Sequence, residues 1–216
     1  MVKTKIQEED MMKMRRLFCL IMAIVMLSTA AFAANACTTV AVGKDASDTG
    51  AVLVAHTCDG WYDHRIQIVE GGKHAADEVV EIYGDPCTLT KSDVTLTGTI
   101  PQVEETYTMF NIGYPFMNEK GVVISEFTWS GDYNNFYNGT GMFYIANLEM
   151  LGLQRAATAK ECVEVMGALA EEFGYIDGGE CLLVADQNEV WIFEICGPGP
   201  LWTKESGAPG AHWAAR

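Results

Sequence analysis

From residue 37 onward, apolar and polar positions alternate in short runs. The segments CTTVAVG (Cys37–Gly43), AVLVAHT (Ala51–Thr57), RIQIVE, EVVEIYG, ETYTMFNIG and GVVISEFTW are rich in Val, Ile, Thr and aromatic residues, with Gly, Asp or Pro between them. That is the pattern of half-buried β-strands, and it predicts an antiparallel sheet. The stretch Ser130–Gly141, SGDYNNFYNGTG, interrupts the pattern with polar turn residues and aromatics and predicts a loop.

The period then changes. One helix is predicted over about Tyr144–Ala157 and a second from Thr158, whose hydroxyl caps the first turn while Glu161 reaches back in a capping box. Cys162, Val165, Met166, Leu169 and Phe173 recur at helical spacing, so one stripe faces a core and Cys162 is assigned to packing. The runs ECLLVAD and EVWIFEI flank Gln187-Asn188, a two-residue hairpin connection, and alternation along the second run places Trp191 in the core. Strands, two helices and strands again describe an α+β domain with helices layered on sheet.

Ahead of this domain, Lys13, Arg15 and Arg16 precede the apolar run LFCLIMAIVML (Leu17–Leu27) and then small residues. A basic n-region, an apolar centre of ~7 to 15 residues and an A-x-A site define a secretory signal, and the run is too short to span a membrane. Two sites compete. Ala31-Phe32-Ala33 would release a chain starting at Ala34, and Ala34-Asn35-Ala36 one starting at Cys37. The acidic Glu8-Glu9-Asp10 is out of place in an n-region, so Met11, Met12 or Met14 is a candidate start. The expectation is a signal peptide over 1–36 and one domain over 37–216, exported to an extracytoplasmic or secreted location.

Removing the five Lys/Arg and three Asp/Glu of residues 1–36 leaves 9 basic against 26 acidic residues, a formal net charge of -17. Such a field repels phosphate backbones and anionic lipid, which disfavours nucleic-acid and membrane-surface roles and leaves small neutral or zwitterionic ligands. Six cysteines follow the leader: Cys37, Cys58, Cys87, Cys162, Cys181 and Cys196. They allow a disulfide framework, although a domain of this size does not require one.

A cysteine at the first residue of a mature chain carries its own base. An α-amine (pKa ~7.7 to 8.0) can take the proton of a thiol (~8.5) without a histidine partner, and the thiolate is the attacking species. The site then needs a group to orient the amine and donors for the oxyanion. A hairpin joining the first two strands around Asp45–Gly50 would return His56, Thr57, Cys58 and Asp59 to Cys37.

The segments CTTVAVGKDASDTGAVLVAHTCDG, NEKGVVISEFTW, LQRAATAKECVEVM, LLVADQNEVWIFEICGPG and GAHWAAR resemble, in order, the N-terminal portion of the cysteine dipeptidases of the N-terminal nucleophile hydrolase superfamily, relatives of the secernins. The resemblance implies a four-layer αββα fold, of which this chain holds the N-terminal portion and which continues past Arg216. It also implies Cys37 as nucleophile after leader removal, and hydrolysis of dipeptides. Bile salt hydrolases and penicillin V acylases are similar at greater distance. They carry Arg-x-x-Asp where this chain has His56-Thr57-Cys58-Asp59, so Asp59 matches the aspartate that contacts the terminal amine and His56 replaces the arginine. Counting from Asn118-Glu119-Lys120-Gly121, their oxyanion-binding asparagine falls on Thr128. Catalytic Cys37 and Asp59, with His56 and Thr128 as substrate or oxyanion contacts, therefore form the expected site.

No cofactor is called for. His56, Cys58, Asp59, His64 and His74 fit no metal-ligand spacing, so no metal is expected. The expected partners are small peptides, with no nucleic acid and no stable membrane insertion after cleavage. Trp129, Tyr133, Phe136 and Tyr137 are candidates to line a cleft, and Asn138-Gly139-Thr140 reads as a glycosylation sequon. The rival functions are an acyl-amide hydrolase of the bile salt or penicillin type, and an exported binding module whose Cys37 is lipidated or disulfide-bonded.

Overall fold

Pairing between strands is antiparallel in every sheet of the computed structural model, which describes residues 37–59, 65–84, 95–129 and 133–216 together with Met14 and Arg16. The remainder of the leader, His64 and Cys87 lie outside the described residues.

In chain order the strands are β1 (Thr38–Val42), β2 (Leu53–Thr57), β3 (Gln67–Val69), β4 (Gly72–Lys73), β5 (Val79–Tyr83), β6 (Leu96–Pro101), β7 (Glu105–Thr106), β8 (Met109–Ile112), β9 (Tyr114–Asn118), β10 (Val123–Thr128), β11 (Glu180–Ala185), β12 (Val190–Cys196) and β13 (His212–Ala215). The helices are a single turn, α1 (Tyr133–Phe136), then α2 (Ile145–Arg155) and α3 (Ala159–Phe173). The main sheet runs β13-β12-β11-β10-β9-β8-β3, and β1-β2, β4-β7 and β5-β6 are separate pairs. No helix among the described residues is long and apolar enough to cross a membrane.

All six strand segments anticipated ahead of the helices contain a strand, with Tyr107 and Thr108 dividing β7 from β8. The pattern missed β4, β6, β9 and β13. In β9 the reason is Pro115, a residue that argues against a strand interior. A register shift between Phe110 and Asn111 accommodates it, so that Pro115 lies opposite Asn111.

Helices α2 and α3 cover one face of the sheet. Ile124, Leu182, Val184, Phe193 and Ile195 share a buried core with Leu148, Leu151, Cys162 and Met166. Because strand side chains alternate, Ser125 points the other way, and there it hydrogen-bonds Thr39 of β1. The hairpin β1-β2 thus packs against the face turned from the helices. Helix pair, sheet and hairpin make three layers, a mixed architecture that is mostly sheet. The second helical layer of the expected αββα stack is not among the described residues.

The helix expectations need two local corrections. Thr158 does cap α3, accepting from the Glu161 N–H at 3.2 Å, but Glu161 Oε2 reaches one residue further back, to the Ala157 N–H at 2.9 Å. The buried stripe is Cys162, Val163, Met166, Gly167 and Ala170, while Val165, Leu169 and Phe173 flank it half-buried. Gly167 tolerates nothing larger, since a Cβ there would lie 2.4 Å from the Trp213 ring.

Asn118 explains the NEKG turn. Its Oδ1 accepts from the Lys120 and Val122 N–H groups at 3.1 and 3.0 Å, and its Nδ2 donates to the Leu153 and Ala156 carbonyls at 2.7 and 2.8 Å. One buried amide therefore closes the β9-β10 turn and caps the end of α2. Gly121 supplies the positive φ of 81° that the turn requires.

Candidate active site

Cys37 immediately precedes β1. The register sets Thr38 opposite Thr57 and Thr39 opposite His56, so the residues after β2 return beside Cys37 as anticipated. Thr38 N–H donates to Thr57 Oγ1 at 3.1 Å, which pins this end of the hairpin.

The contact from Asp59 is made by its backbone N–H, which donates to the Cys37 sulfur, and the residue itself is exposed. His56 is half-buried, and its Nε2 is buried without a hydrogen-bond partner. Cys37 Sγ, a His56 ring nitrogen and a Glu126 carboxylate oxygen all lie within 4.8 Å of one another. A thiol, an imidazole and a carboxylate at that spacing are able to exchange protons or to draw a divalent cation between them.

The Cys37 thiol is pushed above its ordinary range, first by burial and then by the charge of Glu126 and a hydrogen bond to that carboxylate. The Asp59 N–H and a hydrogen bond with Cys58 oppose the shift without cancelling it. In this environment the thiol is held in its protonated form, and a positive charge beside Glu126 would release it.

Glu126 was not anticipated. It is 1% exposed, and its Oε1 accepts from the Thr128 hydroxyl at 3.2 Å. Glu180 of β11 lies beside it, pushed up to about 10 by burial and then by its hydrogen bond and charge repulsion with Glu126. Among the described residues no N–H or O–H other than a carboxyl's own reaches the Oε2 atoms of the two acids, and two carboxyl groups can bond each other only when one carries a proton. Glu180 is the one that carries it. Glu149 of α2 is fully buried behind them and raised well above the carboxylate range by desolvation, then by Glu126 and Glu180. The sequence did carry a signal: strand side chains alternate, so a glutamate two positions from the buried Ile124 shares its face.

Thr128 is exposed and directs its hydroxyl at Glu126. The structure thus brings Cys37, His56 and the Asp59 backbone together and sets Thr128 one step behind, as a partner of the unanticipated acid.

A cavity of about 370 Å³ adjoins the site, lined by Val54, His56 and Cys58 of the hairpin side and by Ile112, Tyr114, Phe116 and Val123–Ser125 of the sheet. Trp129 lines a different cavity, of about 360 Å³, with Glu194, Cys196 and His212, and stacks edge-on with Phe136. Among the described residues, Trp129 therefore lines a cavity other than the one beside His56. His74 is engaged elsewhere, with Glu78 at 2.8 Å and Thr106 at 2.9 Å.

Cys37, Cys162, Cys181 and Cys196 are free thiols. Cys162 is fully buried and its thiol is raised far above the ordinary range by desolvation, as a packing cysteine should be, while Cys181 is pushed up to about 11. Asn138 is 1% exposed with its amide nitrogen committed to the Gly199 and Trp202 carbonyls at 2.6 and 3.1 Å. The sequon is therefore a buried clamp and not an acceptor for glycan.

Residues 36–216 match the family model described as Peptidase family C69, a span that opens one residue before Cys37.

Proposed function

The chain belongs to peptidase family C69, and from that premise we propose that it is an exported dipeptidase whose nucleophile is the Cys37 thiolate, uncovered as residue one when the leader 1–36 is removed. The observation that carries this reading is the β1-β2 register, which holds the Asp59 N–H on the Cys37 sulfur with His56 alongside and a cavity of about 370 Å³ adjoining.

The α-amine freed at Cys37 takes the thiol proton, and the thiolate attacks the scissile carbonyl carbon of the dipeptide. Collapse of the tetrahedral intermediate breaks the C–N bond, and the departing amine takes the proton from the Cys37 ammonium. The product is a thioester. Water then attacks it, giving one proton to the α-amine and its hydroxyl to the acyl carbon; the thiolate leaves and is reprotonated. Asp59 orients the amine, and His56 donates to the oxyanion or the leaving group.

The four-layer αββα stack belongs to the same proposal. Val40 and Leu53, on the hairpin face turned from the sheet, are 55% and 51% exposed, a surface suited to a further layer.

The test is terminal sequencing and intact mass of the exported protein, followed by dipeptide turnover. The chain is expected to start at Cys37, and Cys37→Ser to lose about 10³-fold or more in kcat, with Cys162→Ser near wild type. A chain extended or acylated at its terminus with full turnover refutes the mechanism, and equal losses in both variants refute the assignment of the nucleophile.

A further inference from the structure

We propose that Cys37 and Cys58 are a disulfide-forming pair, a reversible modification site through which a low-molecular-weight disulfide seals the sulfur of Cys37. That sealing stops turnover rests on the dipeptidase reading above; the bond itself does not.

Thr38 and Thr57 are the last register pair of the β1-β2 hairpin, and Cys37 and Cys58 are the next residues outward on its two strands. Residues directly opposite in an antiparallel pair have Cα atoms ~4.5 or ~5.5 Å apart, and both values lie within the ~4.4 to 6.8 Å that a disulfide spans. Their side chains also leave the same face of the pair. The two thiols already meet, since Cys58 is hydrogen-bonded to the Cys37 sulfur. Both are half-buried free thiols. Cys58 lines the cavity of about 370 Å³ together with Val54 and His56, every second residue along the chain, so a small oxidant has a path to it.

Among the described residues no other two cysteines face each other across a strand pair. Cys181 stands opposite Phe127 and Glu194, Cys196 stands opposite His212, and Cys162 is fully buried on α3.

The chemistry is thiol–disulfide exchange. The thiolate of one cysteine attacks a disulfide R–S–S–R, forming a mixed disulfide and expelling one RS⁻. The second cysteine gives up its proton and attacks the protein sulfur of that mixed disulfide, which expels the other RS⁻. Two protein thiols are thus oxidised to one disulfide, while the external disulfide is reduced to two RSH that carry away the two protons. With Cys58 as the resolving thiol, the bond also keeps Cys37 from further oxidation to sulfinic and sulfonic acids. While it lasts, Cys37 has no thiolate with which to attack a carbonyl.

The test takes the processed protein, reduces it and treats it with cystamine, a small cationic disulfide that an acidic chain attracts. Intact mass, peptide mapping and dipeptide turnover are then read. Wild type is expected to lose two hydrogens in mass, to yield a peptide cross-linked through Cys37 and Cys58, and to lose about 10²-fold or more of kcat, all reversed by dithiothreitol. Cys58→Ser is unable to close the bond and is expected to retain a cysteamine on Cys37, so its mass rises where that of wild type falls. A stable mixed disulfide at Cys37 or Cys58 of wild type, an unchanged mass, or a bond mapped to other cysteines overturns the pair. The wild-type measurement decides by itself if Cys58→Ser does not fold. A bond between Cys37 and Cys58 that leaves turnover intact supports the pair and refutes Cys37 as nucleophile. A wild type that forms the bond but cleaves no dipeptide even when reduced supports the pair and refutes the dipeptidase reading.

Discussion

Replacing Asn138 by alanine should cost far more than its position in a polar loop suggests. The side chain makes four hydrogen bonds: Nδ2 to the Gly199 and Trp202 carbonyls at 2.6 and 3.1 Å, and Oδ1 from the Thr140 N–H and hydroxyl at 2.8 and 2.6 Å. Not all are lost outright. The Trp202 carbonyl keeps the Thr140 hydroxyl at 3.2 Å, and Thr140 is exposed enough for water to replace its acceptor. The Gly199 carbonyl likewise keeps the Trp202 N–H at 3.2 Å. No acceptor is orphaned outright, and the two net hydrogen bonds lost to these carbonyls (~1 kcal/mol each) give about 2 kcal/mol for Asn138→Ala. Asn138→Asp should be worse, because a carboxylate oxygen would face two carbonyl oxygens where an amide donor now stands. Thr140→Ala should lose about 1 kcal/mol. Urea unfolding followed by tryptophan fluorescence, with m compared across variants, reads the three values. A loss below about 1 kcal/mol for Asn138→Ala, or an aspartate variant no weaker than the alanine one, would refute the clamp. Addition of glycan at Asn138 in a glycosylating host would refute its burial directly.

Two further substitutions test buried and capping acids. Asp186 Oδ2 accepts from the Ala159 N–H at the start of α3 at 2.9 Å, and Oδ1 accepts from Asn188 and Glu189 in the hairpin turn at 2.7 and 3.1 Å. Burial raises this acid, but those three N–H groups and the charge of Lys44 outweigh it and hold it below the usual range. Asp186→Ala should therefore cost about 1 to 2 kcal/mol above the unfolded carboxylate range, and the difference from wild type should vanish as pH falls through the depressed value; a difference that persists in strong acid refutes the attribution. Glu180, pushed up to about 10, is protonated in the fold while its unfolded counterpart ionises near ~4.3. Folding thus loses stability as pH rises between those values, and Glu180→Gln should be more stable than wild type at pH ~7, with a gain that shrinks toward pH ~4; a constant or opposite difference across thermal melts at several pH values would refute the shared-proton pair.

Local rules alone determined the hairpin that carries Cys37, the two helices with the Thr158 cap, and the β11-β12 turn, because alternation, capping chemistry and turn residues act over a few positions of chain. The same rules place the thiol, His56 and Asp59 near one another, since a hairpin's register is set by its own two strands. Tertiary structure decided the rest of the site. Glu126 and Glu180 come from strands 54 residues apart in sequence, and only pairing of β10 with β11 puts their carboxyls together. Only packing of β1-β2 against β10 brings Glu126 within 4.8 Å of the sulfur. Asn138, polar and in a loop by sequence, is buried because Gly199 and Trp202 fold over it. Charge and burial are properties of the space around a group, and that space is built by segments far along the chain; short-range pattern can say which side chains face inward, but not what they will meet there.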